Sequence, residues 1–177
     1  KKNSSFYLNN YIELKEKLHE LKNEKVILIG VTYALLNLIE KFNFKLPNLT
    51  IVETGGMKGR RREMIRDELH TKLINGFGTN LIYSEYGMTE LLSQAYSIRD
   101  GVFQCPPWMK IYIREPQDAL SFKKNGVTGG INVIDLANIN SCSFIATEDL
   151  GKKSDDGKFE ILGRFDNSDI RGCNLLE

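Results

Sequence analysis

The chain has 177 residues, 41% of them hydrophobic and 27% charged, with a net charge of +1, which suits one well-packed globular core. Near-neutrality argues against a general electrostatic partner such as nucleic acid or an anionic membrane, and no apolar run approaches the ~20 residues that cross a bilayer. The opening residues KKNSSFYLNN lack the apolar core of a signal peptide. Three cysteines fit free thiols in a reducing compartment, so a cytoplasmic location is expected.

From Asn10 to Glu24, apolar Tyr11, Leu14, Leu18 and Leu21 recur every three or four residues, which predicts a helix with one apolar stripe. KVILIG (25–30) is a short continuous apolar run and reads as a strand buried on both faces. TYALLNLIEKF (32–42) reads as a helix, and LTIVETGG (49–56), after the turn at Leu46-Pro47-Asn48, as a second buried strand. A further helix is predicted from Gly59 to Phe77, because Ile65, Leu69, Leu73 and Phe77 fall four apart; NLIYSEYG (80–87) makes a third strand. Strands alternating with helices through short connections predict parallel pairing with right-handed crossovers.

After about Arg99 the texture changes. KIYIRE, GGINVIDL, SFIATEDL and KFEILGRF are short strand patterns divided by Gly, Asn and Asp, and SDDG (154–157) suits a tight hairpin turn. The predicted fold class is therefore α/β. A parallel-strand α/β layer over residues 1–99 is followed by a mostly antiparallel β part over 100–177, with no repeat and no flexible linker between them.

Ligands of open parallel sheets sit beyond the carboxyl ends of the strands, which singles out ETGG (53–56) and YGMTE (86–90), expected at one edge of the sheet. Gly55 and Gly56 would let a flat ligand approach the backbone, and equally suit a plain strand-to-helix turn. Thr89 offers a hydroxyl and Glu90 a hard oxygen ligand suited to Mg2+; the same pair also fits a helix start. Tyr86 has a face for stacking on a base, although most tyrosines in such places are core residues with a bonded hydroxyl. The cluster MKGRRR (57–62) reads as a solvated helix start, with the oddity that cations there oppose the helix dipole. Contact of Lys58–Arg62 with an anionic partner surface or with phosphates stays open. Cys105 and Cys142 read as structural. Cys173, two residues after Arg171, has a cation nearby that would lower its pKa; a small buried hydrophobe is the other reading.

Taken together, YGMTE, ATEDLG (146–151) and DGKFEILGRFDNSDIRG (156–172) resemble, in order and separation, the motifs of the adenylate-forming superfamily of acyl-CoA synthetases and luciferases. INVIDLAN (131–138) resembles the strand and Asp-Leu pair that precede them. The ending GRFDNSDIRGCNLL (163–176) looks most like the acyl-protein synthetase family, the fatty-acid-activating component of the bacterial bioluminescence fatty-acid reductase, with phenylacetate-CoA ligases next. The resemblance spans residues 50–175.

It implies ATP-dependent activation of a fatty acid or other carboxylate as acyl-AMP, followed by transfer of the acyl group to a protein cysteine, with ATP and Mg2+ as cofactors. Thr89, Glu90 and Cys173 would be the catalytic residues. Tyr86 and Gly87 would meet the adenine, with the Gly55-Gly56 backbone on its other side, Thr89 would bond the α-phosphate and Glu90 would hold Mg2+. Asp149 would accept the ribose hydroxyls, Arg164 would add a cation near ribose and phosphate, and Asp135 would support them. A partner acyl reductase is one destination of the acyl group; nucleic acid is not an expected partner.

Departures from the pattern accompany the matches. Glu148 stands where the superfamily has Gly, so a different or strained turn is expected there. The Ser/Thr/Gly-rich loop that wraps pyrophosphate would lie upstream of Lys1, and a full lysine-bearing lid domain is not expected after Gly172. The chain is thus expected to be the C-terminal part of an adenylation domain, holding the adenine, ribose and magnesium side. An acyl-CoA ligase of the phenylacetate-CoA ligase type and a non-catalytic nucleotide-binding fragment are the alternatives.

Overall fold

The structure, a computed structural model, describes residues 4–57, 60–62 and 64–165. The chain forms two compact units, Lys1–Ile82 and Tyr83–Glu177.

The first unit is α/β. Helix α1 (Tyr11–Glu20) leads to strand β1 (Val26–Val31), helix α2 (Thr32–Lys41), strand β2 (Leu49–Thr54) and helix α3 (Arg66–Phe77). β1 and β2 pair in parallel, from Val26 opposite Leu49 to Val31 opposite Thr54, as the strand–helix alternation predicts. The apolar stripes meet in one core: Leu14 and Leu18 of α1, Leu35 and Leu38 of α2, Leu73 and Phe77 of α3 against Ile51 of β2. Asn10 starts α1 by accepting the Glu13 N–H at 3.2 Å, a side-chain cap for an otherwise orphaned donor. Gly78 ends α3 in the left-handed conformation, φ 70°, a position that penalises any residue with a Cβ.

Two expectations are corrected here. β1 is covered on one face only, since Val26 and Leu28 pack on the core while Ile27 and Ile29, alternating with them, are 67% and 59% exposed. Helix α3 begins at Arg66 rather than Gly59, and its first turn carries Asp67 and Glu68, which complement the helix dipole. Lys58, Gly59 and Glu63 lie outside the described residues. Arg61 is held by Glu40, with both guanidinium nitrogens at 2.6 Å from the carboxylate, and by Asn37. The Arg60 guanidinium lies over the Tyr33 ring at 5.0 Å. These two cations thus bind side chains of the unit's own helix α2.

The second unit is an antiparallel sheet. Its strands are β3 (Ile82–Tyr86), β4 (Ala95–Arg99), β5 (Val102–Gln104), β6 (Met109–Glu115), β7 (Asp118–Phe122), β8 (Gly129–Asp135), β9 (Phe144–Lys153) and β10 (Phe159–Arg164), with a 3-10 turn at Leu136–Asn138 after β8. They lie in the order β3-β4-β5-β10-β9-β8-β6-β7. Antiparallel pairing begins with β3 and β4, where Glu85 faces Tyr96, ahead of the change in texture near Arg99. Phe103, Phe159, Ile111, Ile113, Ile131 and Val133 form the core. The predicted SDDG hairpin is present: Gly157 sits at φ 83° and donates to Ser154 O at 3.1 Å, closing β9 onto β10. No helix among the described residues is long and apolar enough to cross a membrane.

Candidate functional site

The antiparallel pairing of β9 with β10 places Asp149 opposite Arg164, and Tyr86 at the end of β3 completes a cluster with them. The Tyr86 hydroxyl donates to Asp149 Oδ2 at 2.8 Å, while Arg164 Nε lies 3.6 Å from Asp149 Oδ1. Asp149 keeps 19% of its side chain exposed, so a ligand can reach a carboxylate already aligned from two sides. An ionised carboxylate has about four lone-pair sites, which leaves acceptor capacity beyond the Tyr86 bond.

Tyr86 is buried, its ring edge-on to Phe103 and Phe159 at centroid distances of 6.3 and 5.7 Å. Burial, reinforced by the Asp149 carboxylate, pushes its phenol well above the ordinary value, so it remains a proton donor to Asp149. The ring therefore belongs to the core and its hydroxyl belongs to the site.

Arg164 makes its shorter contact with Glu148, Nη2 to Oε2 at 2.9 Å. Glu148 lies within extended β9, and the one non-glycine residue with positive φ among the described residues is Asp100. The local departure expected at Glu148 takes the form of a bulge without positive φ: the β8–β9 register shifts between Gly130, opposite Leu150, and Asn132, opposite Ala146, so Ile131 alone faces the stretch that holds Glu148, whose side chain pairs with Arg164. Behind β9, Arg114 donates to Thr147 O at 2.6 Å and to Asn132 Oδ1 at 2.9 Å, and Thr147 Oγ1 accepts the Asp149 N–H at 3.1 Å. These contacts fix the strand just ahead of Asp149.

Beyond Tyr86 the chain enters a turn, not a helix. Leu91 N donates to Met88 O at 3.1 Å, and Gly87, Thr89 and Glu90 are exposed on it. Asp135 and Asn138, at the end of β8 and in the 3-10 turn after it, grip this segment. Asp135 is fully buried and accepts from Leu92 N at 3.0 Å, Ser93 N at 2.9 Å, Ser93 Oγ at 2.7 Å and Ala137 N at 3.1 Å. Burial alone would raise its pKa, but these donors outweigh it and hold the carboxyl below its ordinary value. Asn138 donates to Glu90 O at 2.7 Å and to Cys142 O at 2.9 Å. Trp108 Nε1 donates to Ser93 Oγ at 2.9 Å. Trp108, Leu92 and Tyr96 border an open groove of about 810 Å3.

In the first unit, Gly55 and Gly56 follow β2 with φ of 72° and 61°. A Cβ on Gly56 would touch nothing within 4 Å, so there the backbone dihedral, rather than a close approach, asks for glycine. The Thr32 hydroxyl supports this turn from α2, 2.6 Å from Glu53 Oε2 and 3.2 Å from Thr54 O.

Cys173 lies outside the described residues. Burial pushes the Cys105 thiol up to about 11, which keeps it protonated at neutral pH. Cys142 is exposed, its thiol 3.3 Å from Phe144 O; the expectation of a structural role in packing does not hold for it. No cluster of three or more His, Cys, Asp or Glu side chains that would cage a metal occurs among the described residues. An exposed single carboxylate such as Glu90 still fits Mg2+, which commonly takes one or two carboxylates and fills its shell with phosphate oxygens and water.

No protein-family model and no curated protein matches the sequence. Solved structures do resemble the fold. ATP-bound MatB from Rhodopseudomonas palustris superposes with a TM-score of 0.61 at 19% identity, over 84% of this chain and 33% of its own. O-succinylbenzoate coenzyme A synthetase from Bacillus subtilis, in complex with ATP and magnesium, gives 0.61 at 20% identity, over 88% and 34%. The luciferase-like enzyme of the nonluminescent mealworm Zophobas morio gives 0.56 at 20%, over 87% and 41%. The chain thus spans about a third of the length of the first two. At these identities the likeness establishes the fold: the chain has the mixed α/β architecture of one part of these CoA synthetase and luciferase-like structures.

Proposed function

We propose that this chain is the C-terminal part of an adenylation domain and carries the adenine, ribose and magnesium side of an ATP-dependent carboxylate-activating ligase of the acyl-protein synthetase type. The observation that carries the reading is the convergence of Tyr86, Asp149 and Arg164 from three strands of one sheet. The fold likeness to structures solved with ATP supports it.

In this reading Asp149, oriented by Tyr86, accepts the ribose hydroxyls, and Arg164 turns from Glu148 towards the nucleotide. Gly87 borders the adenine. Thr89 donates its hydroxyl to the α-phosphate. Glu90 is the carboxylate for Mg2+, which supplies neutralisation of the phosphate charge. A substrate carboxylate oxygen bonds to the α-phosphorus and the bond to pyrophosphate breaks, giving acyl-AMP. A thiolate then attacks the acyl carbon and AMP leaves with the bonding pair. Cys173 is the proposed thiol. The groove bordered by Trp108, Leu92 and Tyr96 is apolar space for the hydrocarbon part of a fatty acid.

The test uses the full-length protein. Carboxylate-dependent exchange of pyrophosphate into ATP is expected, with exchange reduced by about 10- to 100-fold in Glu90→Ala, as for loss of a metal-orienting group. Wild-type exchange in that variant would remove Glu90 from the metal. Covalent acyl labelling should vanish in Cys173→Ser while exchange persists. Labelling that persists and requires coenzyme A would move the assignment to an acyl-CoA ligase.

A further inference from the structure

We propose that Asp135 and Asn138 are positioning residues that set the backbone of the turn presenting Thr89 and Glu90. The inference rests on the nucleotide reading of that turn given above.

The grip is two-sided. Asn138 holds the carbonyl of Glu90 itself, and uses its second amide hydrogen on Cys142 O. Asp135 Oδ2 receives the consecutive N–H groups of Leu92 and Ser93, while Oδ1 takes the Ser93 hydroxyl and the Ala137 N–H. Between these two anchor points Leu91 is buried, 5% exposed, and its N–H closes the turn on Met88 O. The carbonyl of the candidate metal ligand and the first two amides after Leu91 are thus all fixed by one short segment.

The chemistry of the two anchors makes the grip stiff. A fully buried carboxylate is costly unless its lone pairs are matched, and here four donors match it. Moving residues 92 and 93 would strip donors from a buried charge, whose hydrogen bonds are the stronger kind. The Ser93 hydroxyl is itself oriented, because Trp108 Nε1 donates to the same oxygen that donates to Asp135. Since Asp135 ends β8 and Asn138 ends the 3-10 turn that follows, the sheet of the second unit sets where the turn stands.

This arrangement answers a need that the exposed turn cannot meet alone. A site with one carboxylate for a metal has no second protein ligand to define its geometry, so its backbone has to be defined from behind. Displacing a catalytic group by about 1 Å can cost roughly 100-fold in rate.

The test uses the full-length protein and two variants, Asp135→Asn and Asn138→Ala. In Asp135→Asn, amide hydrogen exchange at Leu92 and Ser93 is expected to quicken about tenfold or more, while the amides of Ile111 and Ile131 stay protected. In both variants the kcat of pyrophosphate exchange per folded molecule should fall about 10- to 100-fold, with the KM for ATP held within about twofold and the Mg2+ needed for half-activity raised. A purely structural role would lower the folded fraction and leave kcat per folded molecule unchanged; that result overturns the proposal, as does unaltered exchange at Leu92 and Ser93. If the wild type shows no pyrophosphate exchange, the ligase reading falls on its own, and hydrogen exchange still decides whether the grip exists. Should Asp135→Asn fail to fold, Ser93→Ala removes a single donor and gives the same split at smaller amplitude, and an unchanged kcat there overturns the proposal equally.

Discussion

The two exposed turns that the sequence marks for a ligand are built in opposite ways. The Gly55-Gly56 turn takes left-handed dihedrals that glycine reaches without strain, so its shape is written into its own residues, with Thr32 and Glu53 as a buried brace. The turn bearing Thr89 and Glu90 has no positive φ at any residue, and its shape is imposed from more than forty residues away by Asp135 and Asn138. A local device is cheap and tolerant of its surroundings. A remote one couples the turn to the packing of a whole sheet.

The largest effect that breaks this comparison is expected at Asp135. Asp135→Ala leaves three backbone amides and a hydroxyl without their acceptor, and unsatisfied buried groups cost about 1–3 kcal/mol each, so denaturant unfolding should show a loss of at least about 3 kcal/mol. The pH dependence carries its own sign. The folded pKa lies below the ordinary value of 3.8, so the carboxylate contributes stability that is present above that value and lost as pH falls through the folded pKa. The stability gap between wild type and Asp135→Asn should therefore be level at neutral pH and narrow below the ordinary carboxylate range.

Smaller is the brace of the other turn. Thr32→Val keeps the shape of a buried residue and leaves the Glu53 carboxylate one donor short, at a cost of about 1–3 kcal/mol in the same measurement. Smallest is Gly55→Ala, which puts a Cβ on a residue at φ 72° for about 1–2 kcal/mol, with no change in the amides of Leu92 and Ser93. A loss at Gly55 as large as at Asp135 would mean that both turns depend on tertiary support, and the contrast would dissolve.

How much of this was legible beforehand varies along the chain. The helices and the longer strands announce themselves through periodicity, because a stripe of leucines every three or four residues has one economical place to go. β4, β5 and β7 went unpredicted: AYSIR, VFQ and DALSF are too short to show alternation. The Asp100-Gly101 pair, at φ 50° and 72°, was the available signal for a hairpin between β4 and β5. Burial of β1 on both faces was inferred from its unbroken apolar run, and the exposure of Ile27 and Ile29 shows that such a run reports what a strand can bury, not what covers it. At the site, Tyr86, Asp149 and Arg164 were legible as motif residues, whereas Glu148 as the partner of Arg164 and Asn138 as the holder of the Glu90 carbonyl were not.

Apolar spacing and turn chemistry, which act over a few residues, were enough to determine that an α/β region precedes a β-rich one and that SDDG closes a hairpin. The union of Tyr86 with Asp149, and of Asp135 with residues 92 and 93, was decided only by the tertiary structure. Those bonds join positions far apart in the chain through strand order and register, and a hydrogen bond forms only where the packed sheet brings donor and acceptor within about 3 Å.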